Sequence, residues 1–227
     1  MCNTLLIRTV GICMSCCLCF APSVSASEWI VENGRPRAEI VIAAAPTRTV
    51  KLAASELQTY VEKITGGKLA IVSEPTQSAP VKIYIGRSAF TDAQSIKTDD
   101  LKHGAFRLIS GPNWLVLNGQ DADFIKPKFY LASPSDLPQF LKEWDAATGE
   151  HWGFANGNLY KEHHDELDIW ARDERGSLNA VYEFLRRQGV RWYLPDALGE
   201  IVPRNKSLSL PVANETIRPD FALRFPY

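Results

Sequence analysis

The chain has 227 residues, 45% of them apolar and 22% charged, with 25 Lys and Arg against 26 Asp and Glu. A formal net charge of -1 argues against a dedicated nucleic-acid binder or a polybasic membrane-surface protein. No apolar run reaches the roughly 18 to 20 residues that a bilayer span needs, and apolar and aromatic residues are spread too evenly for a disordered chain.

The first twenty residues stand apart. They hold every cysteine of the chain: Cys2, Cys13, Cys16, Cys17 and Cys19. The same stretch carries a single charge, Arg8, ahead of the apolar run Val10 to Phe20, and Val24-Ser25-Ala26 follows as a signal-peptidase site. This pattern predicts a secretory signal peptide over residues 1–26, cleaved after Ala26, and a secreted or periplasmic protein. No membrane association is expected after cleavage. The Cys13 and Cys16 pair lacks a second His/Cys pair at zinc spacing. The mature chain from Ser27 has no cysteine, so its core must hold it without disulfides.

Along the mature chain, Glu39 to Ala43 reads as a short strand ended by Pro46. From Thr49 to Ile64, Val50, Ala53, Ala54, Leu57, Tyr60, Val61 and Ile64 recur at helical spacing. Thr49 or Thr47 can cap this helix, and Gly66-Gly67 stops it. Leu69 to Val72 and Val81 to Ile85 follow as strands, the second with the pattern of a central one. Ala105 to Ile109 and Trp114 to Leu117 flank Ser110-Gly111-Pro112-Asn113, a hairpin signal. Near the other end, Leu178, Val181, Phe184 and Leu185 form a second helical stripe stopped at Gln188-Gly189, with Arg175-Gly176 turning the chain sharply into it and Ser177 or Asp173 as its cap. Val190 to Leu194 reads as a strand closed by Pro195, with Trp192 and Tyr193 on opposite faces, one in the core and one at a surface. Ser207 to Leu210 is a last short strand. The fold class is therefore α+β, a mixed sheet with two main helices packed on it.

Residues 121–172 interrupt this rhythm. A helix is expected from Ser135-Asp136 with Leu137, Phe140, Leu141 and Trp144 on one face, and aromatic residues surround it in sequence. Unstructured stretches of this length are uncommon in compact domains and tend to be functional, so the segment reads as an aromatic-rich insertion. Its stretch Trp152 to Tyr160 places rings beside Asn156 and Asn158. Rings offer apolar faces to sugar C–H groups, and amides offer both donors and acceptors to hydroxyls. Trp152, Asn156, Asn158, Tyr160 and Trp192 are accordingly candidates for carbohydrate or interdomain contact. Packing within the insertion's own core is the plainer role for the first four.

Catalytic signals are missing. The sequence has no G-x-S-x-G elbow, H-E-x-x-H, P-loop or dinucleotide fingerprint. The cluster Lys161 to Asp168 contains His163 and His164 side by side, where they cannot share a helical face, so no metal is assigned there. Asp173 and Glu174, or Glu166 and Asp168, have the residue types of a glycosidase pair, but spacing in sequence does not define a carboxyl separation. No catalytic residue and no cofactor is assigned.

Four segments carry a resemblance. They are Ala53 to Tyr60 with Ile64-Thr65-Gly66-Gly67; Ile83 to Ser88; Leu115 to Gly119; and Asp173 to Leu185 followed by Gly189 to Pro195. In this order they resemble the N-terminal accessory domain of bacterial alpha-glucuronidase-like glycoside hydrolases, in particular the secreted proteins classified as domain-of-unknown-function family 4838. The resemblance spans Ile40 to about Pro211. It implies an α+β domain like the second domain of beta-hexosaminidases, non-catalytic, preceding a catalytic (β/α)8 barrel that carries the acid and the nucleophile or base. On this reading residues 27–215 form the accessory domain and 216–227 begin a linker to a barrel of roughly 200 to 250 further residues. The partner is then that barrel, or polysaccharide, and the pathway is carbohydrate degradation. The alternative is a free-standing saccharide-binding module that uses the insertion's aromatics.

Overall fold

The computed structural model describes residues 28–125, 133–148, 173–194 and 197–220. Strands β1 (Trp29–Glu32) and β2 (Arg35–Pro36) form an opening hairpin, and β3 (Ala38–Val41) starts the main sheet. Helix α1 (Arg48–Thr65) then carries the chain to β4 (Ala70–Val72), parallel to β3, because parallel neighbours require a crossover of this kind. Thr47 Oγ1 accepts from Val50 N at 3.4 Å and caps the start of α1. Its end is set by Gly66, at φ +79°, where a residue with a Cβ would be strained.

Strand β5 (Val81–Ile85) lies parallel to β3, and helix α2 (Ala89–Ala93) follows it. The expected hairpin is β6 (Phe106–Ser110) with β7 (Trp114–Gly119), and β7 is parallel to β5 on its other edge. After β7 come β8 (Asp121–Ala122), α3 (Leu137–Thr148), β9 (Glu174–Arg175) and α4 (Gly176–Arg187). The last strands are β10 (Arg191–Trp192), β11 (Glu200–Ile201), β12 (Leu208–Ser209) and β13 (Asn214–Ile217). The main sheet has six strands in the order β13-β6-β7-β5-β3-β4, mixed parallel and antiparallel. The fold is α+β.

Alternation along the strands sorts their side chains. Ile40, Ile83, Ile85, Leu115 and Leu117 face α1 and α4 and join Leu57, Val61, Leu178, Val181 and Phe184 in the main core. Val41, Tyr84 and Val116 face the other way, where Phe90 of α2 stacks on Tyr84 with centroids 4.1 Å apart. This second layer over the sheet was not anticipated, because α2 is a single turn held by Ser88 and Thr91 in a reciprocal cap.

Four expectations change. First, the strand expected over Val190–Leu194 is only Arg191–Trp192, and it pairs with β11 in a ribbon outside the main sheet. Both Trp192 and Tyr193 therefore reach the surface, since among the described residues no sheet layer continues over that ribbon. Second, the final strand near Ser207 joins β1 and β2 rather than the main sheet. The sixth main strand is instead β13, whose pairing with β6 reaches Ile217, so the domain boundary expected at 215 falls inside a strand. Third, neither Ser177 nor Asp173 caps α4. The Asp121 carboxylate does so from the start of β8, accepting from Ser177 N at 2.9 Å and Ser177 Oγ at 2.5 Å. Fourth, Gly176 matters for proximity rather than for a sharp turn: a Cβ there would stand 2.6 Å from Gln120 N and 2.7 Å from Gly119 Cα.

The excursion between β8 and β9 leaves and re-enters the domain at adjacent points, since Ala122 pairs with Glu174 and Asp121 with Arg175. Its neck is tied by the buried Asp173, which accepts from Arg48 Nη2 at 2.6 Å and Phe124 N at 2.7 Å. Within the excursion, α3 follows a 3-10 turn at Pro134–Asp136, as the Ser135-Asp136 signal predicts. Leu137, Phe140 and Leu141 of α3 are in neither buried cluster.

Candidate functional site

Trp152, Asn156, Asn158 and Tyr160 lie outside the described residues, as do Glu166, Asp168 and the pair His163 and His164. Of the five candidates for contact, Trp192 is the one that can be placed. Its backbone is fixed by the β10–β11 ribbon, which Tyr193 N closes by donating to Gly199 O at 2.8 Å. The indole ring meets Tyr60 of α1 edge to face at 5.2 Å, and Tyr182 of α4 at 5.3 Å. Both tyrosines pack their rings against the main core, and the hydroxyl of each meets a carboxylate, Glu200 for Tyr60 and Glu56 for Tyr182.

The hydroxyls continue into a polar chain. Trp192 Nε1 donates to Tyr60 OH at 2.6 Å, and Tyr60 OH donates to Glu200 Oε1 at 2.5 Å. Lys63 Nζ donates to both Glu200 oxygens at 2.9 Å and lies 4.7 Å from the Tyr60 ring centroid. Burial, and then the Glu200 carboxylate, push the Tyr60 phenol up to about 12, so it remains a donor at neutral pH. The hydrogen bonds from Tyr60 and Lys63 hold Glu200 below the usual carboxylate range. Burial likewise raises Tyr182, helped by Glu56, to which its hydroxyl lies at 3.2 Å. The indole is thus anchored at its nitrogen and along its edges.

Trp192 separates two open clefts. One, of about 590 Å³, is lined by Tyr60, Lys63, Tyr193, Leu194 and Glu200. The other, of about 450 Å³, has Phe106, Tyr182 and Ile217 among its walls and Arg186, Arg191 and Arg218 at its edge. Beyond the first cleft the surface is unusually apolar. Trp192 is 39% exposed, Tyr193 70%, Leu194 66%, Leu198 97% and Ile201 53%.

Of the carboxylates with the residue types of a glycosidase pair, Asp173 and Glu174 lie among the described residues. Asp173 is engaged in the neck, and the Glu174 carbonyl accepts from Thr49 Oγ1 at 3.1 Å. Among the described residues no group of three His, Cys, Asp or Glu side chains is placed to hold a metal. No helix among them is long and apolar enough to cross a membrane.

Sequence reasoning found Trp192 but missed the rest of its surroundings. Tyr60 was legible only as core, because its helical position marks the buried stripe and says nothing of its hydroxyl. Glu200 and Lys63 carried no signal, since only tertiary contact makes a surface Glu and Lys into an anchor.

The chain is, in class, an α+β domain with an exposed aromatic corner. No family model matches it, and no curated protein matches it significantly.

Proposed function

We propose that this chain is a non-catalytic accessory domain of a secreted, polysaccharide-degrading glycoside hydrolase of the alpha-glucuronidase-like kind, and that it docks against a catalytic barrel. The observation that carries this reading is the apolar surface formed by Trp192, Tyr193, Leu194, Leu198 and Ile201. Soluble monomers seldom leave neighbouring large apolar residues this open unless the patch meets a partner. The four sequence segments that resemble such accessory domains support the same reading, and one of them runs through Trp192.

Two measurements test it together. The coding region beyond Tyr227 is expected to continue in frame into a (β/α)8 barrel, and the isolated chain is expected to release no product from aryl-glucuronides, aryl-hexosaminides or xylan oligosaccharides. A stop codon directly after Tyr227, or turnover that persists through purification, overturns the proposal. A second reading, direct saccharide binding, is favoured by one observation: an anchored, half-open indole between two clefts is a ready platform for a sugar ring.

A further inference from the structure

The two sides of Trp192 differ in charge. On the larger cleft, Lys63 is neutralised by Glu200 at 2.9 Å. The smaller cleft is lined by three guanidinium groups, those of Arg186, Arg191 and Arg218, and by one carboxylate, Glu183. Arg186 spends Nε and Nη2 on Glu183, at 2.7 and 2.8 Å. Arg191 Nη1 donates to the carbonyls of Arg186 and Val190 at 2.6 and 2.7 Å, and Arg218 Nη2 donates to Asp100 at 2.7 Å. Each guanidinium carries five N–H donors, so all three keep donors beyond these contacts. The cleft walls between them are apolar, from Phe106, Val190 and Ile217, and one is the indole of Trp192.

We infer that this cleft binds an acidic saccharide, a sugar carrying carboxylate or sulfate groups, with the pyranose ring against Trp192 and the anionic group on the arginines. The inference rests on the second, saccharide-binding reading above and not on the docking surface. The physical case has three parts. Guanidinium recognises two oxygens of one oxyanion through paired donors and is more weakly hydrated than an ammonium, so desolvation costs less. The ring offers an apolar face to the sugar's C–H groups. The indole is already held by Tyr60, Tyr182 and its Nε1 hydrogen bond, so little side-chain freedom is lost on binding. A neutral saccharide would use the ring and leave the remaining guanidinium donors unused.

The test is affinity electrophoresis of the full chain through gels containing polygalacturonate, dextran sulfate or neutral dextran. Retention by at least one of the acidic polymers is expected to exceed that by neutral dextran at least tenfold, and the stronger of the two identifies carboxylate or sulfate as the group recognised. The double variant Arg186→Gln/Arg218→Gln is expected to lose at least fivefold of that retention with its melting temperature unchanged. Trp192→Phe is expected to keep most of it, and Trp192→Ala to lose it. The control Lys51→Gln/Lys68→Gln removes two cations that do not line the cleft and is expected to change nothing. Equal retention by acidic and neutral polymers, full retention by the arginine variant, or an equal loss in the lysine control overturns the inference. Neutral retention abolished by Trp192→Ala would overturn it while leaving the saccharide reading standing; absence of retention on every polymer removes both.

Discussion

Phe184 and Trp192 lie on consecutive elements of one chain, and both are large aromatic residues, yet the first is 1% exposed and the second 39%. The difference is architectural. Phe184 projects from α4 onto a six-stranded sheet that offers a continuous apolar face. Trp192 sits on a two-stranded ribbon outside that sheet, and a ribbon this small has no second layer to bury its side chains. Periodicity identifies the first kind of position, whereas the second is visible only when the layers have been assembled.

The comparison can be broken first at the core. Phe184→Ala is expected to lower the unfolding free energy by about 3 to 5 kcal/mol, because the surrounding side chains cannot collapse fully into the cavity. Urea denaturation measures it. A loss below about 1 kcal/mol would mean that the helix-covered face is no better packed than the ribbon.

The next effect lies where α4 meets β7. Burial pushes the Asp121 carboxyl up to about 6, against the opposing hydrogen bonds from Ser177. An unfolded Asp titrates near 3.9, so the native state binds this proton more tightly. Asp121 therefore contributes stability that is fully present below pH 4 and is lost as pH rises through 6, by about 2 to 3 kcal/mol. Glu183, Glu200 and Glu215 are shifted downward and act in the opposite sense at acidic pH. The measurement is accordingly the difference between wild type and Asp121→Asn in urea midpoints from pH 4 to 7. A pH-independent difference would show that the carboxyl is not buried as the structure has it.

At the ribbon, Trp192→Ala is expected to cost about 1 to 2 kcal/mol, the scale of two edge-to-face pairs, clearly less than the core substitution. An equal cost would erase the contrast. The smallest effect is expected for excision. Replacing residues 126–172 with a short Gly/Ser bridge should preserve a single cooperative thermal transition and shift stability by about 1 kcal/mol, because Ala122 and Glu174 already face each other across a ladder. Loss of cooperative folding would place the excised residues in the core.

The main elements were legible because each follows a local rule. The stripe from Val50 to Ile64 and the stop at Gly66 define α1, and the Ser110 to Asn113 turn defines the β6–β7 hairpin. Strand β13 escaped notice because Asn214-Glu215-Thr216-Ile217 is polar at an exposed edge, and α2 because a single turn is too short to show a period. For the candidate site, a ring near a strand end was readable at Trp192. Its anchors on α1, α4 and β11 were not, since Tyr60, Tyr182 and Glu200 are distant in sequence.

What the sequence determined by itself is the set of buried stripes, and hence an α+β domain, because packing imposes the periods of 3.6 and 2 on any residue that must leave water. Tertiary structure alone decided which polar groups are consumed and which remain at work. Asp121 was drawn from the start of β8 to cap α4, Asp173 was committed to Arg48, and Glu200 was set to fix Tyr60 and through it Trp192. Hydrogen bonds and ion pairs impose no spacing along a chain; they depend on distances of about 3 Å between groups that only the assembled layers bring together.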